Sequence, residues 1–544
     1  MVVLFLTFYL IWSAYCMVVN LVRAKRIGLP ILIRYIAPTN PLWIVAGNSV
    51  ITICRWMPFG IGYFTRFYAT GWASNDRHKV HVDLGDAFVL VSPGEILKQM
   101  KTFRRDVRMV QMLSVYEENV FTFSGQEWQK HRKATMVAFA HIGQSVWEES
   151  LLQTDKMLQE WLDFEGPVKT VAEHTKVLTI NVLSETLFSG SCIEGDSTGS
   201  DGKDTSRPHR DSLRSILFNL IHILIIGSSK LESWWMPTNM KRTSRAVGAF
   251  RQFVLHLIEE EKAKKSTSKK TQQRLVSALV RACEEHNQEG HHLRRFVISE
   301  NEIVSNMFVY AVAGMDTTPI TLATAIVFLS AYSEYQDWIA QEISFHTPHG
   351  SLSPLSFETF PKLKRCMAVM LETLRLCHPV SQLIKTTGET AEVITLGSRQ
   401  ILIPPNTPIQ INLSAMQTHP QFWGSDSLSW NPQRWIVSRS SLEGDLSMET
   451  LLPDTFGQYI PWAVDQHVRP GKKYFQVELV AVLAKKIGDY RVEPYMNSGE
   501  TIEAARSRAL GIAMETQSKA LLNEMRNPDK LGLVWSKREV STRY

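Results

Sequence analysis

Cysteine is scarce in this chain: 544 residues contain six. Cys16, Cys54, Cys192, Cys283, Cys366 and Cys377 show no paired metal-site spacing, so the sequence predicts no metal centre built from cysteine pairs and no disulfide framework. No Gly/Ser-rich linker divides the chain, which favours one large domain over several. Charge is absent from residues 1–22. The net charge of +6 is modest for this length and gives no case for nucleic-acid binding, although it suits an anionic membrane face or an acidic electron-donor protein.

The uncharged segment 1–22 is mostly apolar and about as long as a helix needs to cross a hydrocarbon core. Arg23, Lys25 and Arg26 follow at once, which places the main domain on the cytosolic side of a single-pass anchor in the endoplasmic reticulum membrane. A cleaved signal peptide fits less well, because its basic residues should precede the apolar run. Residues 23–60 then read as a basic, proline-containing hinge whose stretch 41–59 is apolar enough to rest on membrane lipid, and residues 61–544 as the main domain.

Five local patterns carry chemistry. Tyr459 to Lys473 reads YIPWAVDQHVRPGKK, with Trp462, Asp465, His467, Arg469 and Gly471 at fixed intervals. Trp128 and Arg132 form a W-x-x-x-R on a predicted helix. Ala313-Gly-Met-Asp-Thr-Thr318 lies inside an apolar stretch from residue 302 to residue 332, too long for a strand and read as a buried helix weakened at Gly314. Glu372 and Arg375 stand three residues apart on one helix face, and Arg434 follows in Asn431-Pro-Gln-Arg-Trp435. The run from Lys385 to Thr418-His-Pro reads as strand, turn and aromatic segment.

Taken in their order along the chain, the patterns resemble the cytochrome P-450 family, in its filamentous-fungal, membrane-anchored form, from roughly residue 60 to residue 495. The resemblance implies a mainly α fold with small β-sheets. It implies that Glu372, Arg375 and Arg434 form a structural charge network, and that Trp128, Arg132 and Lys385 contact haem propionates if haem is bound. It also implies a haem-ligating cysteine where this chain has Arg469. A thiolate pushes electron density toward the O–O bond, whereas guanidinium stays protonated and offers donors without a lone pair for iron.

The sequence therefore predicts no cofactor, with haem lacking a cysteine ligand as the alternative. The expected activity is a cyclisation, a Diels–Alder-type cycloaddition or an isomerisation of a hydrophobic terpenoid or polyketide. Asp316, Thr317, Arg469 and His467 are its candidate polar groups. A haem monooxygenase with an unusual axial ligand, requiring a reductase partner, is the second reading. A non-catalytic membrane scaffold is the third.

Overall fold

The computed structural model describes residues 2–29, 31–33, 79–82, 87–91, 103–106, 110–111, 113–188, 216, 223, 227, 229–234, 236–263, 274–288, 298–347, 355–380, 382–396, 398–438, 446–454, 459–463, 468–519 and 522–538. Asp465, His467 and the stretch 41–59 lie outside them. The longer helices are α1 (Val2–Ile27), α2 (Gly125–His141), α3 (Gly143–Asp163), α4 (Val171–Leu183), α5 (Thr238–Ala263) and α6 (Leu275–Gln288). They continue with α7 (Glu300–Met315), α8 (Thr317–Ala331), α9 (Ser333–His346), α10 (Lys364–Leu376), α11 (Lys472–Asp489) and α12 (Ile502–Met514). The mainly helical fold with small sheets is as expected.

The central apolar stretch is two helices rather than one. A capping box starts α7: Glu302 N–H donates to Ser299 Oγ at 3.1 Å, and Ser299 N–H donates to Glu302 Oε2 at 2.6 Å. The helix breaks at Asp316, and Pro319 falls in the first turn of α8, where a missing N–H costs nothing. Gly314, just before the break, lets α4 approach, since a Cβ there would meet Leu183 Cδ2 at 3.0 Å. Residues 300–331 are long and apolar enough to cross a membrane, but they are mostly buried inside the domain and form its core.

Helices α3, α4, α8 and α11 pack against one another, and α12 covers α8. Apolar side chains such as Leu322, Ile326, Phe328, Val480 and Leu483 are fully buried there. Each such side chain contributes about 1.5–3 kcal/mol relative to exposure. Beside this helical core lies a six-stranded sheet in the order Ile31–Ile33, Lys79–Val82, Ala87–Val91, Pro408–Asn412, Gln382–Thr386, Arg104–Arg105. Lys385 pairs with Ile409 in it and is buried.

Helix α1 runs past the predicted boundary at residue 22 and ends at Gly28, whose φ of 74° is the left-handed conformation that stops a helix. Its last turns bury Ala24 and Ile27 against the sheet, while Phe8, Ile11, Trp12, Tyr15 and Val18 are exposed.

Candidate functional site

Two elements meet at the site: the break between α7 and α8, and the turn that leads into α11. The turn is closed by Arg469 N–H donating to Trp462 O at 2.9 Å, and Ala463 takes a positive φ of 60° to make the bend. Lys472 N–H donates to Arg469 O at 3.2 Å, and α11 then starts from Gly471 with no side-chain cap.

The side chain of Arg469 crosses to the helix break. Its Nη2 donates to Thr317 Oγ1 at 2.8 Å and to the carbonyl of Ala313, and its guanidinium carbon lies 6.0 Å from the centre of the Phe475 ring. Thr317 in turn donates from Oγ1 to Ala313 O at 2.8 Å. The helix break at Asp316 leaves the Ala313 carbonyl to accept from side chains, from Arg469 and Thr317. Burial pushes the Arg469 guanidinium down to about 10, so it remains a cation at neutral pH.

A small, partly open cleft with a cavity volume of about 30 Å³ lies along this contact. Its walls include Phe121, Leu183, Leu187, Tyr310 and Phe475, with Arg469 as the charged group. The phenol of Tyr310 is fixed to Thr135 Oγ1, and that of Tyr474 to Thr186 Oγ1 at 2.8 Å. Desolvation raises both phenols well above their ordinary range, so both stay protonated.

Of the four predicted catalytic groups, the structure brings Thr317 and Arg469 together. Asp316 departs from expectation: its carboxylate pairs with Lys176 at 2.5 Å, is a third exposed, and does not line the cleft. At the helix break the acid finds both water and a cation, which costs less than facing an apolar cavity. His467 lies outside the described residues.

Arg132 donates from Nη1 to Val468 O, the carbonyl just before Arg469, and Trp128 packs in the core. Two residues near the loop had gone unnoticed in the sequence. His378 is buried, with Nδ1 within hydrogen-bond distance of both Val380 N–H, at 2.9 Å, and Val380 O, and with Nε2 3.1 Å from Pro461 O. Burial drives its pKa down to about 4, and the Arg469 charge adds to the shift, so it is a neutral strut under the turn.

Glu478 on α11 is fully buried, with no hydrogen-bond partner at either oxygen, and desolvation raises it to about 8. Thr179 stands near enough to oppose that shift slightly without a formed hydrogen bond. Because the folded value exceeds the ordinary 4.5, the native state holds a proton that the unfolded chain gives up. The associated stability is fully present below pH 4.5 and is lost as pH rises through about 8. Glu478→Gln is expected to flatten this part of the dependence. Urea midpoints for both proteins across the range from pH 4.5 to about 8 check it, and parallel curves would contradict it.

Glu372, Arg375 and Arg434 do come together, as a buried network. Glu372 pairs with Arg375 Nη2 at 2.8 Å and Arg434 Nε at 3.0 Å, and none of the three lines the cleft.

A helical bundle, a side sheet, a broken central helix and a turn feeding a long helix define a fold shared with haem-domain structures. The chain superposes on the crystal structure of cytochrome P450DA heme domain with a TM-score of 0.64, at 13% identity, covering 95% of this chain and 99% of that one. For the crystal structure of a cytochrome P450 (CYP102L1) the TM-score is 0.60 at 16% identity, covering 84% of this chain and 93% of that chain. The family model described as Cytochrome P450 matches residues 92–449.

This chain belongs to the cytochrome P450 family. Among curated relatives, it is 24% identical over 539 residues to "Phomenoic acid biosynthesis cluster cytochrome P450 monooxygenase" of Leptosphaeria maculans, covering 89% of this chain and 90% of the relative. It is 24% identical over 514 residues to "Cytochrome P450 monooxygenase ORF6" of Penicillium roqueforti, covering 86% of this chain and 87% of the relative.

Membership corrects one expectation. The sequence reading set the cofactor aside, and the family to which the chain belongs points to haem instead. The residues present fit that group unevenly. The resemblance assigns propionate contacts to Arg132, Trp128 and Lys385, none of which lines the cleft, and position 469 does not fit an iron ligand. Its guanidinium has only donors to offer and spends two hydrogen bonds on the helix opposite. Among the described residues, Cys366 and Cys377 are fully or nearly fully buried in other contacts, and their thiols are pushed up by burial.

Proposed function

We propose that this P450-family enzyme converts a hydrophobic small molecule of terpenoid or polyketide type by a redox-neutral ring closure, cycloaddition or isomerisation. The observation that carries the reading is Arg469, a partly buried cation at the ligand position that lines the cleft and whose hydrogen bonds go to Thr317 and Ala313. Such a group stabilises negative charge that grows on a substrate oxygen. It cannot supply the electron push of a thiolate.

In this reading the aromatic and aliphatic walls hold the chain of the substrate folded, which lowers the entropic part of the barrier. A carbonyl oxygen of the substrate takes the place of Ala313 O as acceptor for Arg469 Nη2–H. Thr317 Oγ1, already bonded to the same guanidinium, fixes the direction of that donor. His467 is the loop's candidate for proton transfer. Helix α1, with its exposed apolar side chains followed by Lys25 and Arg26, anchors the enzyme in the endoplasmic reticulum membrane with the main domain in the cytosol.

Haem-dependent monooxygenation through another axial ligand, fed by a reductase, is the second reading, and the names of the relatives favour it. The test is product formation from candidate substrates by the full-length protein, with reductase, NADPH and oxygen or anaerobically without them. Equal turnover in both conditions is expected. Strict dependence on the three additions would return the second reading to first place.

A further inference from the structure

Phe121, one wall of the cleft, belongs to a segment tied to α7 by a chain of hydrogen bonds that can run in one direction only. Residues 113–123 lie against α7 near Ser305 and Asn306, and Asn119, His131, Ser305 and Asn306 are all buried there. Val120 N–H donates to Asn306 Oδ1 at 2.9 Å, so the other end of that amide is the donor. It faces His131 Nδ1 at 2.8 Å, which therefore carries no proton. The ring N–H is left on Nε2, 3.4 Å from Glu302 Oε1. Burial raises the Glu302 carboxyl, but hydrogen bonds from His131 and Ser299 N–H outweigh it and hold the acid down at about 2. Glu302 is thus an acceptor only, and the chain runs without conflict from Val120 to the cap of α7.

A second tie runs beside the first. Asn119 Nδ2 donates to Ser305 Oγ at 3.3 Å, Ser305 Oγ donates to Glu117 O at 2.5 Å, and Phe121 N–H donates to Asn119 Oδ1 at 2.9 Å. The Phe123 ring lies against the imidazole, with centroids 4.7 Å apart. Among the described residues, the charged and titratable groups around His131 are Glu302 on α7, Lys130 on α2 at 3.8 Å from Glu302, Arg132 turned to Val468 O, and Tyr310 fixed on Thr135. Glu117 and Glu118 of the segment and Arg281 of α6 are exposed.

We propose that His131 and Asn306 are positioning residues of the cleft: their hydrogen bond fixes which way the Asn306 amide faces, and so holds Val120 and the Phe121 wall against α7. A reversed amide would set its NH2 group against Val120 N–H, donor against donor, and release the segment. The inference rests on the proposed function only in taking the cleft as the substrate site.

Hydrogen–deuterium exchange of the full-length protein in detergent, read on peptides from 113–123, α8 and α11, tests this without a substrate and so independently of the catalytic reading. Asn306→Leu keeps the branching of the side chain and removes both hydrogen bonds. The amides of 113–123 should then exchange about tenfold faster or more, the effect of leaving a buried donor unpaired, while α8 and α11 keep their wild-type rates. Asn306→Asp still gives Val120 an acceptor but sets a second carboxylate against His131, whose neutral ring has one N–H for two acids. The folded variant therefore holds an extra proton on the ring. Protection of 113–123, compared with the wild type at the same pH, should be intact where that proton is bound and fall as pH rises and removes it.

Wild-type exchange at 113–123 in Asn306→Leu would overturn the proposal. So would an equal rise in α8 and α11, which marks a general loss of stability. An Asn306→Asp segment whose protection relative to the wild type is constant from about pH 5 to about pH 9 would overturn it as well. If Asn306→Leu does not fold, the Asn306→Asp series decides alone.

Discussion

Replacement of Glu372 by alanine is expected to leave little folded protein at ordinary temperature. The carboxylate is fully buried and accepts from Arg375 Nε at 2.9 Å and Nη2 at 2.8 Å, from Arg434 Nε at 3.0 Å, from Trp435 Nε1 at 3.0 Å and from Asn431 N–H at 2.9 Å. Arg375 is itself fully buried and donates onward to the carbonyls of Gln417, Ser427 and Ser429. Removing the acid strands a cation in the core.

That loss costs about 3–5 kcal/mol, a large share of the roughly 5–15 kcal/mol that separates folded from unfolded domains. Glu372→Gln keeps the shape and one acceptor oxygen, so its loss should be smaller. Soluble yield and urea midpoints for the two variants give the comparison. A Glu372→Ala protein that melts like the wild type would show that the network contributes little.

The second large effect is on rate. Arg469→Gln removes a charged donor aimed at the cleft while keeping most of the side-chain volume, and turnover should fall about 10²–10³-fold, as when one oxyanion donor is lost. Arg469→Lys restores charge without the planar fork and should recover only part of that loss. The loss should appear mainly in kcat, since the donor acts on charge that develops during reaction. An Arg469→Gln enzyme with normal kcat would remove Arg469 from the mechanism, whatever it does to binding.

These two sites differ in how far they could be read from the chain. Glu372 and Arg375 share a helix face three residues apart, so their pairing follows from helical geometry, and Arg434 follows from the resemblance. The apolar run that became α7 and α8 announced a buried helix, and Gly314 announced its weak point. The break itself falls two residues later, at Asp316, where Pro319 requires a new start.

Tertiary partners were hidden. Asp316 looked like a cavity acid because nothing local revealed Lys176 beside it on another helix. His378 braces the turn through Pro461 O, a contact between segments that no periodicity connects. Glu478 sits among apolar neighbours on α11, and only the packing of α3, α4 and α8 around that helix shows that its carboxyl has no partner. The substitution at position 469 was visible as a residue type, whereas its reach to Thr317 depends on how close the turn comes to the helix break.

The most direct measurement is the absorption spectrum of the full-length protein after haem addition, reduction and exposure to carbon monoxide. With Arg469 at the ligand position, the reduced carbon monoxide complex should lack the signature of a thiolate-bound haem, whether the porphyrin is held by Arg132 and its neighbours or not. A thiolate-type spectrum at full haem occupancy would mean that a cysteine from elsewhere in the chain reaches the iron, and would contradict the account.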